Sequence, residues 1–432
     1  MAEAKYNHQT HVVGKDESPT TSTNPPVVEV RIIGGTKGKG LFARKKFKEG
    51  DVIFEERPLV CCQFLWNSIY GYLACDFCMR PMESAEENAK RLAANPSITL
   101  PFPQCCATKK ETFITCLYCD TSYCTPECRD AAWSQHHETL CRGSYTLDSN
   151  HPVVQLQEAW RNMHYPPETA NIMLVARIIA TVKQAKHKQG AICLFDQFCH
   201  NTVNEEEEIA HKLLGAQFQV QIINFYEQLE TLRQLMMNVV YEENVQQWYT
   251  PAGFQSLIAL VGMNGQGIGT TPLGIWVKNC DNLDLPEDER NNLDNFIDKL
   301  YTDIENGNKL KLNSKKSGGF LNNEGSALYP LQSSCKLPSN HSCVPNAEAT
   351  FLDNNFNLVM IATSDIDIDE EICVSYLDEC NKDRSRHSRR KILRENYLFN
   401  CKCEKCQAQI NDEDATSIDE DDDEDDKENG DI

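Results

Sequence analysis

Thiols at short spacings stand out first in this chain. Cys75 and Cys78 form a C-x2-C pair, and 37 residues later the pattern resumes with Cys116, Cys119, Cys124, Cys128, His137 and Cys141. These make four ligand pairs: C-x2-C, C-x2-C, C-x3-C and H-x3-C. Eight sulfur and nitrogen ligands in short pairs suit two closed, tetrahedral, structural zinc sites. Three of them lie on residues 126–141, where Ala131, Ala132 and Trp133 predict a short helix. His136 competes with His137, and the H-x3-C spacing favours His137. A second group near the C-terminus, Cys401, Cys403 and Cys406, supplies three thiols and leaves a tetrahedron incomplete. A fourth ligand has to come from elsewhere in the chain. Cys105 and Cys106 are left over. They are candidates to replace a ligand, although adjacent cysteines make poor partners on one ion.

A second stretch with chemical potential is SNHSCVPN, residues 339–346, which sets Asn340, His341 and Cys343 almost side by side. Turn chemistry alone reads it as a polar turn with a buried cysteine. Its surroundings predict strands. Residues 347–379 read as strand, Asn-rich turn, strand, turn and strand. The alternation Phe356, Leu358, Met360 and then Ile372, Val374, Tyr376 implies a small antiparallel sheet. Residues 28–60 read as strand-turn-strand, and on its own Gly38-Lys39-Gly40 need only be a hairpin. Residues 325–335 form an apolar approach to the core. Helical patterns occupy 152–249, including the capped NEEEEIAHKLLG, and 276–307.

Composition narrows the function. The 432 residues allow two or three domains, and 41% hydrophobic with 25% charged residues is ordinary for a soluble protein. The richest apolar run, IMLVARIIA, is too short to span a bilayer and contains Arg177. The first residues are polar and lack a secretory pattern, so an intracellular protein is expected. In a reducing compartment the 21 cysteines then favour metal over disulfides. The formal charge is −22, of which −12 falls on residues 411–432, a solvated acidic segment. That segment is suited to attracting basic proteins or simply to solubility, and neither it nor the overall charge suits a nucleic-acid backbone.

In order, G-x-G, the zinc pattern, a helical region, N-H-S-C-x-P-N, E-E-I-x-x-S-Y and C-x-C-x2-C span residues 28 to about 408. This order resembles the SET and MYND domain-containing lysine methyltransferases. The resemblance implies an α+β chain: a SET-domain β-fold with a pseudoknot, an inserted MYND-type zinc module, helical insertions and a post-SET zinc site. The implied parts are a lead-in (1–27), the first SET part (28–74), the zinc finger (75–141) and a helical insertion (142–250). A SET core (251–379, with a helical insert near 276–323), a post-SET region (380–409) and the acidic tail (410–432) follow.

The resemblance also assigns residues. The first and third ligand pairs share one zinc ion, the second and fourth another, and Cys343 completes the third with Cys401, Cys403 and Cys406. Asn340 and His341 meet S-adenosylmethionine, and Gly38, Lys39 and Gly40 let the backbone approach it. Asn264, within LVGMNGQGIG, fits a cofactor-binding Asn, and Phe399 fits the aromatic on the adenine. Tyr376 fits the active-site tyrosine beside the cofactor, while Tyr397 lines the lysine channel. Outside this context Tyr376 reads as an ordinary strand tyrosine and Phe399 as core.

The implied activity is methyl transfer from S-adenosylmethionine to lysine in histones or other basic proteins, including ribosomal ones. The alternative is a catalytically weak zinc scaffold. Protein partners through the MYND module, no nucleic acid, no membrane and a monomeric state are expected, in the cytoplasm and also the nucleus. The basic run at 382–395 reads as a helix leading into the zinc site, with nuclear import as the weaker reading. Two features depart from the family pattern. An extra KLPS at 336–339 either bulges outward or displaces Asn340 and His341. The acidic tail stands where family members continue into a helical repeat domain, which implies a more open cleft.

Overall fold

A computed structural model describes residues 26–34, 38–65, 67, 71–144, 148–162, 171–198, 219–312, 323–330, 340–397 and 399–412. The KLPS insertion, the NEEEEIAHKLLG stretch and the acidic segment beyond Asp412 lie outside these residues.

Three small sheets build the β-part. The Gly-rich stretch forms an antiparallel hairpin of β1 (Val28–Gly34) and β2 (Gly38–Ala43), with Gly34 opposite Gly38. The sheet continues β1-β2-β12-β9, where β12 is Glu371–Val374 and β9 is Asn340–His341. β12 runs antiparallel to β2 and parallel to β9, so His341 lies opposite Val374. A second sheet joins β10 (Ala347–Thr350), β11 (Leu358–Ala362) and β3 (Val52–Glu56). The third joins β4 (Val60–Gln63), β8 (Asn323–Leu328) and β7 (Gln266–Thr270).

The single antiparallel sheet expected across 347–379 is therefore split, and Phe356 and Tyr376 fall just outside its strands. β10 and β11 do pair around the Asn-rich turn, where Asn354 adopts a left-handed φ of 51°. β12 departs because the chain first crosses residues 363–370. There Lys46 and Lys48 pair with Asp367 and Asp365. That crossing lays Ile372 opposite Leu41, and both side chains are fully buried.

The helical insertions follow from local signals. Ser84 and Glu87 form a capping box at the start of α1 (Ala85–Leu92), within the long loop of the cysteine module. In α2 (Pro126–Ala132), Pro126 opens the helix and the Thr125 hydroxyl accepts from the Cys128 N–H. Beyond α3 (Pro152–Arg161) comes α4 (Ile172–Gln184), which contains the apolar run and is buried nearly all round. Such a helix belongs at the centre of a layer. α5 (Lys188–Asp196), α6 (Gln219–Val239) and α7 (Pro251–Asn264) share that apolar core with it. No described helix is long and apolar enough to cross a membrane.

α8 (Pro272–Asp281) and α9 (Glu287–Leu312) pack instead on α1 and its neighbouring loop. The Trp276 indole N–H donates to the Pro101 carbonyl at 2.9 Å, and the Asn279 amide to the Cys105 carbonyl at 2.7 Å. Cys105 is thus a core thiol in the same cluster as Cys280, and it joins no metal group among the described residues.

Arg177 ties the layers together from the middle of α4. It is 6% exposed. Its guanidinium donates to the Cys61 carbonyl of β4, to the Asp76 carbonyl at 2.8 Å and to the Asp76 carboxylate. Burial works against its charge while the Asp76 carboxylate pulls the other way, and the net effect holds the guanidinium more basic than usual. Removing one member of such a pair strands the other. Arg177→Met should therefore lower unfolding stability by about 3 kcal/mol, read as a lower urea midpoint against the unaltered protein.

Candidate active site and metal centres

Three groups of sulfur and nitrogen ligands converge, each with its ligand atoms within 4.8 Å of one another. The first is Cys75, Cys78, Cys124 and Cys128, and the second is Cys116, Cys119, His137 and Cys141. The pairs interleave, first with third and second with fourth. Local backbone makes each corner. The Met79 N–H returns to the Cys75 carbonyl at 3.0 Å, and Met79 takes a left-handed φ of 63°. The hairpin of β5 (Ile114–Thr115) and β6 (Ser122–Tyr123) carries Cys116, Cys119 and Cys124 at and between its strands. α2 brings Cys128 to the first group. A wider π-helical turn, Trp133–His137, then leads on to His137 and Cys141 in the second.

His137 places Nε2 3.4 Å from Cys119 Sγ, so it and not His136 joins the ligands. Burial lowers its pKa, against the pull of Asp76, and favours the neutral imidazole that binds metal. His136 is buried beside a cavity of about 190 Å³ between the cysteine module, β4 and α4. Thiolate-rich, closed, four-ligand sets are the donor chemistry of structural zinc, and all three groups fit it.

The third group joins Cys343 to Cys401, Cys403 and Cys406. Cys343 follows β9, whereas the other three lie beyond α10 (Arg386–Tyr397) and at the start of α11 (Glu404–Ala408). Its sulfur is 3.6 Å from Cys406 Sγ and 3.3 Å from His341 Nε2. The Cys401 thiol, with burial opposing, holds Cys343 down at about 3, and His341 and Arg389 act in the same direction. Helix α10 is the one expected from the basic run. It carries Arg389, fully buried, against this cluster.

Around this cluster the chain assembles a polar cradle beside an aromatic wall. His341 Nδ1 accepts the Tyr376 N–H at 3.0 Å. Ring centroids lie 5.3 Å apart for His341 and Tyr376, 6.0 Å for His341 and Phe399, and 4.9 Å for Tyr376 and Tyr397. The Tyr397 hydroxyl donates to the Tyr376 carbonyl at 3.3 Å. On the other side of β9, the Asn340 amide donates to the Lys39 carbonyl at 3.2 Å and to the Glu371 carboxylate. A Cβ on Gly40 would sit 2.9 Å from the Glu371 carboxylate and 3.2 Å from the Asn340 amide. Any side chain there would have to push the ends of Ile33, Glu371 and Asn340 aside, which gives the glycine of this turn a role beyond hairpin formation.

The structure thus gathers Lys39, Gly40, Asn340, His341, Tyr376 and Phe399 around β9 and β12. Gly38 opens β2, opposite Gly34. Asn264 is fully buried at the end of α7, where its amide donates to the Leu260 carbonyl at 2.8 Å. Two residues of the recognised motifs received no role from sequence. Glu371 orients Asn340. Asn346 accepts the Cys373 N–H at 2.8 Å and donates to the Glu371 carbonyl at 2.9 Å, stapling the far end of the loop to β12. The signal for both was present in the motifs that contain them.

Known proteins match most of this chain. The SET domain family matches residues 38–377. The chain is 55% identical over 392 residues to the protein-lysine N-trimethyltransferase SMYD5 of Gallus gallus, covering 91% of this chain and 89% of that protein. It is 55% identical over 390 residues to its Homo sapiens counterpart, covering 90% and 88%. A shorter match, 40% identical over 96 residues, joins 22% of this chain to 20% of the histone-lysine N-methyltransferase SMYD3 of Homo sapiens.

If the three groups are zinc sites, elemental analysis of the purified chain will give about three zinc ions, one for each group. Cys343→Ser and Cys124→Ser should each remove one. Only Cys343→Ser should also disturb the environment of His341, read by its imidazole NMR signals.

Proposed function

The chain belongs to the SET-domain family of protein-lysine methyltransferases, and from that premise we propose that it methylates lysine in basic proteins, histones and ribosomal proteins among them. S-adenosylmethionine supplies, when bound, a sulfonium methyl group open to in-line attack by a neutral amine. The gathering of Asn340, His341, Tyr376 and Phe399 around one loop that joins the Cys343, Cys401, Cys403 and Cys406 group is the observation that carries this reading. The three ligand groups hold zinc in structural roles.

The residues then divide the work. Asn340 and His341 bind the cofactor's polar parts, with the Lys39-Gly40 backbone close beside them and Asn264 contributing from α7. Phe399 would supply the aromatic surface that holds the adenine. Tyr376 orients the lysine amine through its hydroxyl and favours the charge developing at the methyl group, while Tyr397 lines the lysine's approach. Free lysine has a pKa near 10.4, so the amine must shed its proton to react. The aromatic wall and the cofactor's sulfonium charge disfavour the ammonium form and assist that loss. No side chain is assigned as a general base, and the proton passes to solvent. Alignment of amine and methyl supplies most of the remaining acceleration. The name of the vertebrate relatives supports trimethyllysine as the final product.

Transfer of tritium from labelled S-adenosylmethionine to histone and ribosomal protein fractions tests the reading. Tyr376→Phe should cut kcat by about 100-fold or more while leaving cofactor affinity within a few-fold. Labelling unaffected by Tyr376→Phe would remove that residue from the chemistry. Below the effective pKa of the bound lysine, kcat should rise about tenfold per pH unit as the neutral amine accumulates. Calorimetric titration of S-adenosylmethionine should give similar affinity with and without residues 336–339. Binding only after their deletion would make this chain a scaffold instead.

A further inference from the structure

The basic run of α10 contains one cation that never reaches water. Arg389 is 0% exposed. A buried guanidinium is costly unless charge and hydrogen bonds compensate it. Among the described residues its partners are Cys343 Sγ from Nε at 3.4 Å, Cys406 Sγ from Nη2 at 3.6 Å, the Gln409 amide oxygen at 2.7 Å and the Arg384 carbonyl. None of these is a carboxylate. Four thiolates around a divalent cation leave two negative charges, so the sulfurs themselves are the natural counter-charge. The Cys75, Cys78, Cys124 and Cys128 group offers the same four thiolates and serves as its comparison.

What distinguishes the third group is its attachment. Cys343 lies two residues from His341, whose ring meets both the Cys343 sulfur and the Tyr376 N–H. The helix carrying Arg389 ends at Tyr397, just before Phe399. One guanidinium fork thus spans a sulfur of the loop and a sulfur of the C-terminal segment.

We propose that Arg389 is a positioning residue for methyl transfer. It neutralises the Cys343 and Cys406 thiolates and sets the loop bearing Asn340 and His341 against the aromatic wall. The loop part of this proposal rests on the cofactor-binding reading of Asn340 and His341. The thiolate part does not. A lysine could supply the charge but not a planar fork reaching two sulfurs and an amide.

The test uses the zinc-loaded full chain and three variants: Arg389→Met, Arg389→Lys and Gln409→Ala. Zinc release to a chromogenic chelator is followed together with iodoacetamide labelling of individual cysteines by mass spectrometry. The two other ligand groups serve as internal references. In Arg389→Met, one zinc should leave ~10-fold faster, with faster labelling of Cys343 and Cys406 and unchanged labelling at the reference groups. The Kd for S-adenosylmethionine should rise by about tenfold as the loop loosens. Arg389→Lys should fall between. Gln409→Ala, which removes a contact of the same guanidinium away from sulfur, should stay near the unaltered protein.

Unchanged zinc release in Arg389→Met would overturn the proposal, as would an equal effect of Gln409→Ala, which marks a purely helix-packing role. Should the methionine variant fail to fold, the lysine variant decides: intermediate release supports the proposal and unaltered release overturns it. Faster thiol labelling with an unchanged cofactor Kd would overturn the loop coupling alone. An unaltered protein that binds no S-adenosylmethionine would instead sink the methyltransferase reading and leave the thiolate result standing.

Discussion

Cys343 cannot move without moving His341. Two residues separate the sulfur from the ring, and that sulfur closes a tetrahedron begun about sixty residues later by Cys401, Cys403 and Cys406. The far end of the loop is fixed as well, because Asn346 exchanges hydrogen bonds with β12. A segment of seven residues, held by sulfur near its middle and by an amide at its end, has little conformational freedom left. The placement of Asn340 against Lys39 and Glu371, and of His341 against Tyr376 and Phe399, follows from that confinement. Rigid presentation of this kind is what a reaction limited by alignment requires.

The remainder of the chain can be understood as support for that loop. The long excursion inside the cysteine module and the helical insert after β7 lie far apart in sequence. In space they are one unit, since Trp276 and Leu293 of the second pack with Ala89, Leu92 and Cys105 of the first. Arg177 plays the matching part on the other side, where the central helix reaches both β4 and the first cysteine knuckle through one guanidinium. Gly325 completes the junction. A Cβ there would collide with the Met79 side chain and the Cys62 carbonyl, so β8 can lie against the knuckle only because that position has no side chain.

Much of this was legible because metal chemistry is written locally. Paired ligands at two or three residues' spacing declare themselves whatever surrounds them, and the H-x3-C interval separated His137 from His136. The helix of the basic run was readable for the same local reason. What could not be read depends on partners far along the chain. The period of residues 356–376 gives strands but not their neighbours, and β12 pairs with β2 and β9 rather than β11. Cys105 looked like a spare ligand because its neighbour Cys280 lies so distant in sequence. Arg389 was hidden in a run of surface-type charges, where nothing local marks one arginine as buried. Glu371 and Asn346 sat within recognised motifs, yet only the folded loop gives them work.

The pairing of β2 with β12 has a consequence for how the protein is made. Phe42 meets Glu371 across roughly three hundred residues of intervening chain. At about 5–20 residues per second, a ribosome needs on the order of 20–60 seconds to deliver the second strand after the first. During that interval β2 has no partner on the side that β12 will occupy, although the hairpin with β1 covers its other edge. The cysteine module and the helical layer emerge in between and draw on contacts already synthesised. Nascent-chain folding should therefore proceed from the insertions outward, with the sheet that frames the reactive loop closing late and the Cys343 group, which waits for Cys401, Cys403 and Cys406, closing last.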